Sequence, residues 1–354
     1  MPIIPAVNAV NEAVKEILEY QHGDRIPVKT RYSHFNYNLL GGIYPGNIIV
    51  IAGLSSSGKS FTSQTMEEDL FNPVLNPHCE KIRLVRCNFE MRVFNLVLRR
   101  LSRETGLDID EILENRVVSE NEYKSFKRVV DKERSNHIFY YPEPVTSEQF
   151  MTDITQFLET MKSEDPNIHT IITVDHVGYI NGGDSAITNF MSGLNALKMK
   201  GYRFSAIILS QLNREIVKRS DNKLRHAPES ADVFNSSQMY FVSDLMLAIH
   251  QPAKLGITEY MEVKNKFPEL GAYKTSSGNS FKTEGLVFFH YIKIREERKK
   301  KKNIYMAIEV KSGYERLYQV GSDVSYVNLP PAYPIPEAPV DYEEEGDDPY
   351  NDVF

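Results

Sequence analysis

No stretch of the chain approaches the ~20 consecutive apolar residues of a membrane helix, and the opening MPIIPAVNAVNEAVKEI has neither the basic segment nor the long apolar run of a signal peptide. A soluble, cytoplasmic protein is therefore expected. Cysteine is nearly absent. Cys79 and Cys87 are too few for a disulfide framework and lack the paired Cys/His clusters of a zinc module, which leaves two ordinary reduced thiols. Excess positive charge is missing too: 41 Lys and Arg stand against 48 Asp and Glu, for a net charge of -7. That balance would argue against a nucleic-acid binder only if it were evenly spread. Eight acids and no Lys or Arg lie between Glu337 and Phe354, so the rest of the chain is close to neutral and local charge matters more than the total. There is no internal repeat.

What is present suits one large domain with appendages, since 354 residues at 41% hydrophobic content can bury an ordinary core. Residues 1–27 form an N-terminal helix and linker, with Val7, Val10, Val14, Ile17 and Leu18 at helical spacing. That stripe either packs on its own domain or docks on a neighbouring subunit. Residues 28–328 carry the main domain. Apolar runs at Asn47 to Gly53, Ile82 to Cys87, Ile138 to Tyr141, Thr170 to Val174, Ser205 to Leu209, Leu245 to Ile249, Leu286 to Ile292 and Ile304 to Val310 read as strands. Helical patterns at Arg92 to Glu104, Glu122 to Lys132, Ser147 to Met161 and Ile187 to Lys200 separate the earlier ones. Such alternation predicts an α/β fold with a mostly parallel sheet covered on both faces and active residues at the strands' carboxyl ends. The last two strands, with no helix between them, predict a β-hairpin. Pro252 to Glu284 reads as an insertion or long loop, and residues 329–354, proline-rich and then acidic, as a disordered tail.

The strongest motif is Gly53-Leu-Ser-Ser-Ser-Gly58-Lys59-Ser60, a match to G-x-x-x-x-G-K-S/T lying between a strand and a helix. Its glycines permit the tight turn whose backbone N–H groups wrap a polyphosphate, and the following helix adds its positive end. The binding set is Gly53, Ser55, Ser56, Ser57, Gly58, Lys59, Ser60 and Phe61. Lys59 is expected on the β and γ phosphates, and Ser60 on magnesium. Asp175, ending an apolar strand, is the second acid for the metal. Glu90, just past the strand Ile82 to Cys87, suits the group that orients the attacking water, with an ion pair to Arg92 or Arg99 as its structural alternative. ATP and Mg2+ are the expected cofactors.

These residues resemble the DnaB-type replicative helicases and related phage ring helicases. Gly41-Gly-Ile-Tyr-Pro-Gly46-Asn-Ile-Ile-Val-Ile-Ala-Gly53 looks like the family's entry into its phosphate loop. Phe89-Glu90-Met91 resembles its S-L-E-M element with Asn88 in place of serine and Phe89 in place of leucine, and Ser210-Gln211-Leu212-Asn213-Arg214 is its S-Q-L-N-R motif intact. The resemblance implies a RecA-like P-loop NTPase core, Glu90 as catalytic base and Gln211 as the sensor of the γ-phosphate. Asp232, Ser236 and Asp244 are spaced like the family's D-L-R-E-S-G…A-D stretch, whose arginine and glycine are not retained. Lys293-Ile-Arg295 resembles its K-x-R, cations that act in trans on a neighbour's γ-phosphate. The run Arg298 to Lys302 that follows reads as a solvated basic turn or a phosphate patch. A homo-oligomer, by resemblance a hexamer, with 5'-3' polarity on single-stranded DNA is implied; a RecA- or KaiC-like recombinase or switch without unwinding activity is the alternative.

DNA contact is expected from Asn213 to His226, where Arg214, Lys218, Arg219, Lys223 and Arg225 outnumber Glu215 and Asp221. No aromatics interleave them, so stacking is not indicated. The loop Asn181 to Ser185 is nearly uncharged and a weaker candidate. The acidic tail, closing on Phe354, resembles tails that dock basic patches on replication partners such as primase, polymerase or loader; a plain solubilising tail is the alternative.

Overall fold

The computed structural model describes residues 4–22, 25–114, 119–135, 137–219, 226–234, 236–262, 280–295, 305–311 and 314–320. The chain divides into a unit Met1–Asp323 and a unit Val324–Phe354. The acidic tail, Lys223, Arg225 and the run Arg298 to Lys302 lie outside the described residues.

Strand β1 (Ile48–Gly53) is buried at every residue, which is why it reads as an unbroken apolar run. Ile48, Val50 and Ala52 face one hydrophobic layer, with Phe150 of α7 (Ser147–Glu164) and Phe190 of α8 (Gly183–Met199). Ile49 and Ile51 face the other, with Tyr32, with Phe35 of α2 (Ser33–Asn38) and with Met66 and Leu70 of α3 (Lys59–Leu70). β1 lies parallel to β5 (Phe204–Gln211) on one side and to β6 (Leu245–His250) on the other. Beyond β5 come β4 (His169–Asp175), β2 (Ile82–Asn88) and β3 (Ile138–Tyr141), all parallel. The chain reverses its lateral direction at β1, and the crevice at the carboxyl ends of β1 and its neighbours is where ligands bind in such sheets.

Past β6 the sheet turns antiparallel through β9 (Leu286–Ile294), β10 (Tyr305–Lys311) and β11 (Tyr314–Val320), so the expected hairpin is present and gains a further strand. The segment Pro252 to Glu284 is more ordered at its ends than a loop: β7 (Glu259–Glu262) and β8 (Ser280–Lys282) pair, because Tyr260 is fully buried against Phe288 and anchors the arm. Asn181 to Ser185 is also not all loop. Gly182 caps α8 at φ 116, so helix begins at Gly183.

Helix α1 (Ala6–His22) buries none of its residues, and the stripe Val7, Val10, Val14, Ile17, Leu18 is 43–62% exposed. Of the two expectations for it, packing on its own domain is not realised. Among the described residues no helix is long and apolar enough to cross a membrane.

Helix α3 buries polar residues, including Thr62, Ser63, Thr65, Glu67 and Asp69. Buried charge requires partners. Arg86 of β2 donates to Glu67 at 2.8 Å and to Glu133 of α6 (Glu120–Glu133) at 2.5 Å, while Arg100 of α4 (Val93–Thr105) reaches Glu133 at 2.5 Å. Among the described residues Glu133 is the carboxylate that both arginines share. Glu133→Ala is expected to lower unfolding free energy by about 1–3 kcal/mol, because it leaves Arg86 with Glu67 and Arg100 with the more distant Glu68, at 3.9 Å, as their carboxylate partners; urea denaturation checks this, and a loss under about 1 kcal/mol contradicts it.

Three buried histidines are held neutral. Burial lowers His169 to about 3 and His290 to about 3, and burial with the neighbouring His290 and His226 lowers His250 to about 2. An unfolded histidine titrates near 6.5, so below that pH the unfolded chain takes up protons that the fold refuses. Their contribution is fully present above about 6.5 and is lost as pH falls through that value toward about 3. Unfolding free energy measured in urea should fall between pH 6.5 and 5, each histidine adding up to about 1.4 kcal/mol per pH unit; a flat profile contradicts the burial.

Candidate active site

The phosphate turn leaves β1 where two backbones come close. A Cβ on Gly53 would stand 2.3 Å from Ser57 Oγ and 3.0 Å from the Ile249 carbonyl oxygen, so any side chain there would displace Ser57 and crowd the backbone of β6. Gly58 takes φ 96 and opens α3 at Lys59. Ser56 adopts φ 60, a strained value for a residue with a side chain. Ser57 is buried and its Oγ has no partner among the described residues, an orphaned donor in the cradle. Ser55 is exposed on the turn, and Phe61 stands partly exposed in the first turn of α3.

Lys59 folds back onto the turn, donating to the carbonyls of Gly53 at 3.0 Å and Leu54 at 2.9 Å. Burial lowers its pKa, against the opposing charges of Asp175 and Glu90. Ser60 Oγ donates to Asp175 Oδ2 at 2.7 Å. Burial raises the Asp175 pKa, with Ser60 and Lys59 opposing and Glu90 adding to the rise. A hydroxyl and a half-buried carboxylate converging in this way are hard oxygen donors that fit a magnesium-type ion, which would relieve the cost of desolvating the acid.

Asn88, the last residue of β2, sits in register with Asp175. The Phe89 ring is buried near Tyr141 and Phe150, and Glu90 stands exposed beside the Asp175 end. Among the described residues Glu90 forms no ion pair, so the pairing with Arg92 or Arg99 weighed as its alternative is not found there. Gln211 ends β5 directly beside Gly53, half-buried, and its side chain makes no hydrogen bond among the described residues. The structure thus brings Lys59, Ser60, Asp175, Glu90 and Gln211 together at neighbouring strand ends.

Lys293 and Arg295 are elsewhere. Strand β9 runs antiparallel to β6, so its end meets the beginning of β6, with Leu245 opposite Ile294. Lys293 donates to the carbonyls of Tyr240 and of Ser243, the latter at 2.6 Å. Arg295 donates to the Phe241 carbonyl at 2.6 Å and pairs with Asp244 at 3.3 Å. Both cap the end of α9 (Ser236–Val242), where orphan carbonyls attract cations. Asp244 is a structural anchor here: it accepts the Ile48 N–H at 2.8 Å and Lys198 at 2.8 Å. Between this end of β1 and the phosphate turn lies the whole strand, about 17 Å.

The proposed DNA cations divide. Arg214 is exposed and its side chain makes no hydrogen bond or ion pair among the described residues, and Lys218 pairs with Glu215 at 2.6 Å. Arg219 is bound to the buried carboxylate of Asp232 and to the Ala227 carbonyl, so its own guanidinium is already engaged. Sequence reasoning gave Asn88 no role of its own, although an asparagine two residues before a strand-end acid is an Asx-turn signal. Arg86, Arg100 and Glu133 carried no signal, since pairing across three elements is invisible in one dimension.

Residues 27–292 match the family model for the DnaB-like helicase C terminal domain. No curated protein sequence matches the chain. Among solved structures, one described as an ATPase domain superposes with a TM-score of 0.62 at 14% identity, covering 89% of this chain and 99% of that one. A DnaB-like replicative helicase, in a structure described together with its interactions with primase, superposes with a TM-score of 0.59 at 15% identity, covering 86% of this chain and 65% of that one. Identities this low carry the fold alone. The family match includes the phosphate turn, Glu90, Asp175 and Gln211, and by its extent the chain belongs to the DnaB-like helicase C-terminal domain family.

Proposed function

We propose that the chain is the motor of a replicative DNA helicase that moves along single-stranded DNA as a ring, a hexamer by resemblance, hydrolysing ATP at its subunit interfaces. Gly53 to Phe61 would hold the nucleotide, Ser60 and Asp175 the Mg2+, and Glu90 would orient and polarise the attacking water. Gln211, adjoining both the turn and the basic segment, would report the γ-phosphate to the DNA contacts Arg214, Lys218, Arg219, Lys223 and Arg225.

One observation supports the ring above all. Lys293 and Arg295 lie at the opposite end of β1 from the phosphate turn, so a cation from this position can meet a γ-phosphate only when it belongs to a neighbouring subunit. The exposed apolar stripe of α1 suits a subunit staple. A replication protein such as primase, polymerase or loader is the proposed partner of the acidic tail.

The test is DNA-stimulated ATP hydrolysis and fork unwinding by the wild type, Lys59→Ala, Arg295→Ala and a 1:1 mixture of the two variants. Each variant alone should lose about 100-fold or more in hydrolysis, while the mixture regains it because an intact half-site from each can meet. A mixture that stays inactive removes Arg295 from the shared site. Hydrolysis that ignores DNA, with no fork opened by the wild type, replaces the helicase by the recombinase or switch reading.

A further inference from the structure

Glu90 has no ion-pair partner among the described residues and is exposed, so its own side chain does not fix its position. A group that orients water must nevertheless be held to a fraction of an ångström. Its backbone supplies the constraint from two directions. On one side the Phe89 N–H donates to the Asp175 carbonyl at 2.8 Å, and the Phe89 ring is seated in the core. On the other, Asn88 Oδ1 accepts both the Glu90 N–H at 3.1 Å and the Met91 N–H at 2.7 Å. From these contacts we infer that Asn88 is a positioning residue for Glu90, locking the turn that carries it against the strand that ends in Asp175.

The residue type follows from the chemistry. A side-chain carbonyl oxygen has two lone pairs and can accept both N–H groups, which alanine cannot do. Asn88 is buried and lines a small cleft together with Ser60, Asp175, Glu67, Arg86 and Arg100. An aspartate would offer the same acceptor but place a further negative charge beside Asp175 and Glu67, where like charges in a confined space repel. A serine hydroxyl is neutral but shorter, and closes the weaker version of the same turn.

This inference rests on Glu90 acting on the attacking water, and the experiment separates the two. Steady-state ATP hydrolysis, the Kd of a fluorescent ATP analogue and the thermal midpoint are measured for Asn88→Ala, Asn88→Ser and Glu90→Gln. Asn88→Ala is expected to lower kcat about 10- to 100-fold with KM and Kd little changed, and Asn88→Ser to recover part of the loss. If Glu90→Gln is inactive while Asn88→Ala keeps its kcat, the positioning role is overturned and the role of Glu90 stands. If Glu90→Gln still hydrolyses ATP, the premise itself fails. If Asn88→Ala loses kcat, nucleotide affinity and thermal midpoint together and Asn88→Ser is no better, Asn88 serves the fold rather than the turn, which also overturns the inference.

Discussion

The contact between Ser60 and Asp175, separated by 115 residues, is the constraint from which the site follows. A hydroxyl at the start of α3 can meet a carboxylate at the end of β4 at 2.7 Å only if the turn between β1 and α3 is tight and β4 ends near the same edge of the sheet as β1. The first condition is met by Gly53, where a Cβ would crowd Ser57 and Ile249, and by Gly58 with its positive φ. The second is met by β5, in register with both neighbours and fully buried up to Gln211. Gln211 then stands beside the turn and Asn88 beside Asp175 without further adjustment.

Holding α3 in that orientation has an electrostatic cost. The helix presents Glu67 and Asp69 to the interior, and isolated buried carboxylates would shed their charge. Arg86 meets Glu67 and Arg31 meets Asp69, while Glu133 and Arg100 extend the first pair to α4 and α6. Pairs of this kind are weak as net stabilisers and strong as specifiers, because each alternative packing leaves a charge unmatched. The buried face of α3 therefore joins ion pairs to the apolar contacts of Met66 and Leu70, and the elements that carry Lys59 and Glu90 are tied through the same network.

The same physics divides what is legible in the sequence from what is not. The central strands are legible because a parallel strand buried on both faces is an apolar run, and the phosphate turn because its glycines and lysine have fixed spacing. The start of α3 at Lys59 is legible from the motif, but its buried face is not, because Thr62, Ser63, Glu67 and Asp69 show no apolar period. The arm carrying Tyr260 reads as loop because strands as short as β7 and β8 have too few residues to show alternation. The Gly182-Gly183 pair reads as loop because glycine signals a turn, whereas here it is the cap from which α8 starts. Asn88 reads only as a substitution, since its importance depends on a register with Asp175 that no local pattern encodes.

The two cations at the end of β9 show how geometry limits a resemblance and at the same time sharpens it. Spacing alone would permit Lys293 and Arg295 to serve their own phosphate turn, and the antiparallel direction of β9 removes that option. In the single chain both side chains are already engaged, satisfying carbonyls at the end of α9, with Arg295 also on Asp244. Contacts of a cation with a helix end are worth about 0.3–1 kcal/mol near a surface, well below the several kcal/mol that a charge developing on a phosphate can return. In the proposed ring, Arg295 would exchange these carbonyls, and its pairing with Asp244, for the phosphate of a neighbour's nucleotide. Asp244 cannot move with it, because the same carboxylate holds the Ile48 N–H and Lys198. In the proposed ring, a neighbour's nucleotide would thus draw on the end of α9 while the root of β1 keeps its anchor in Asp244.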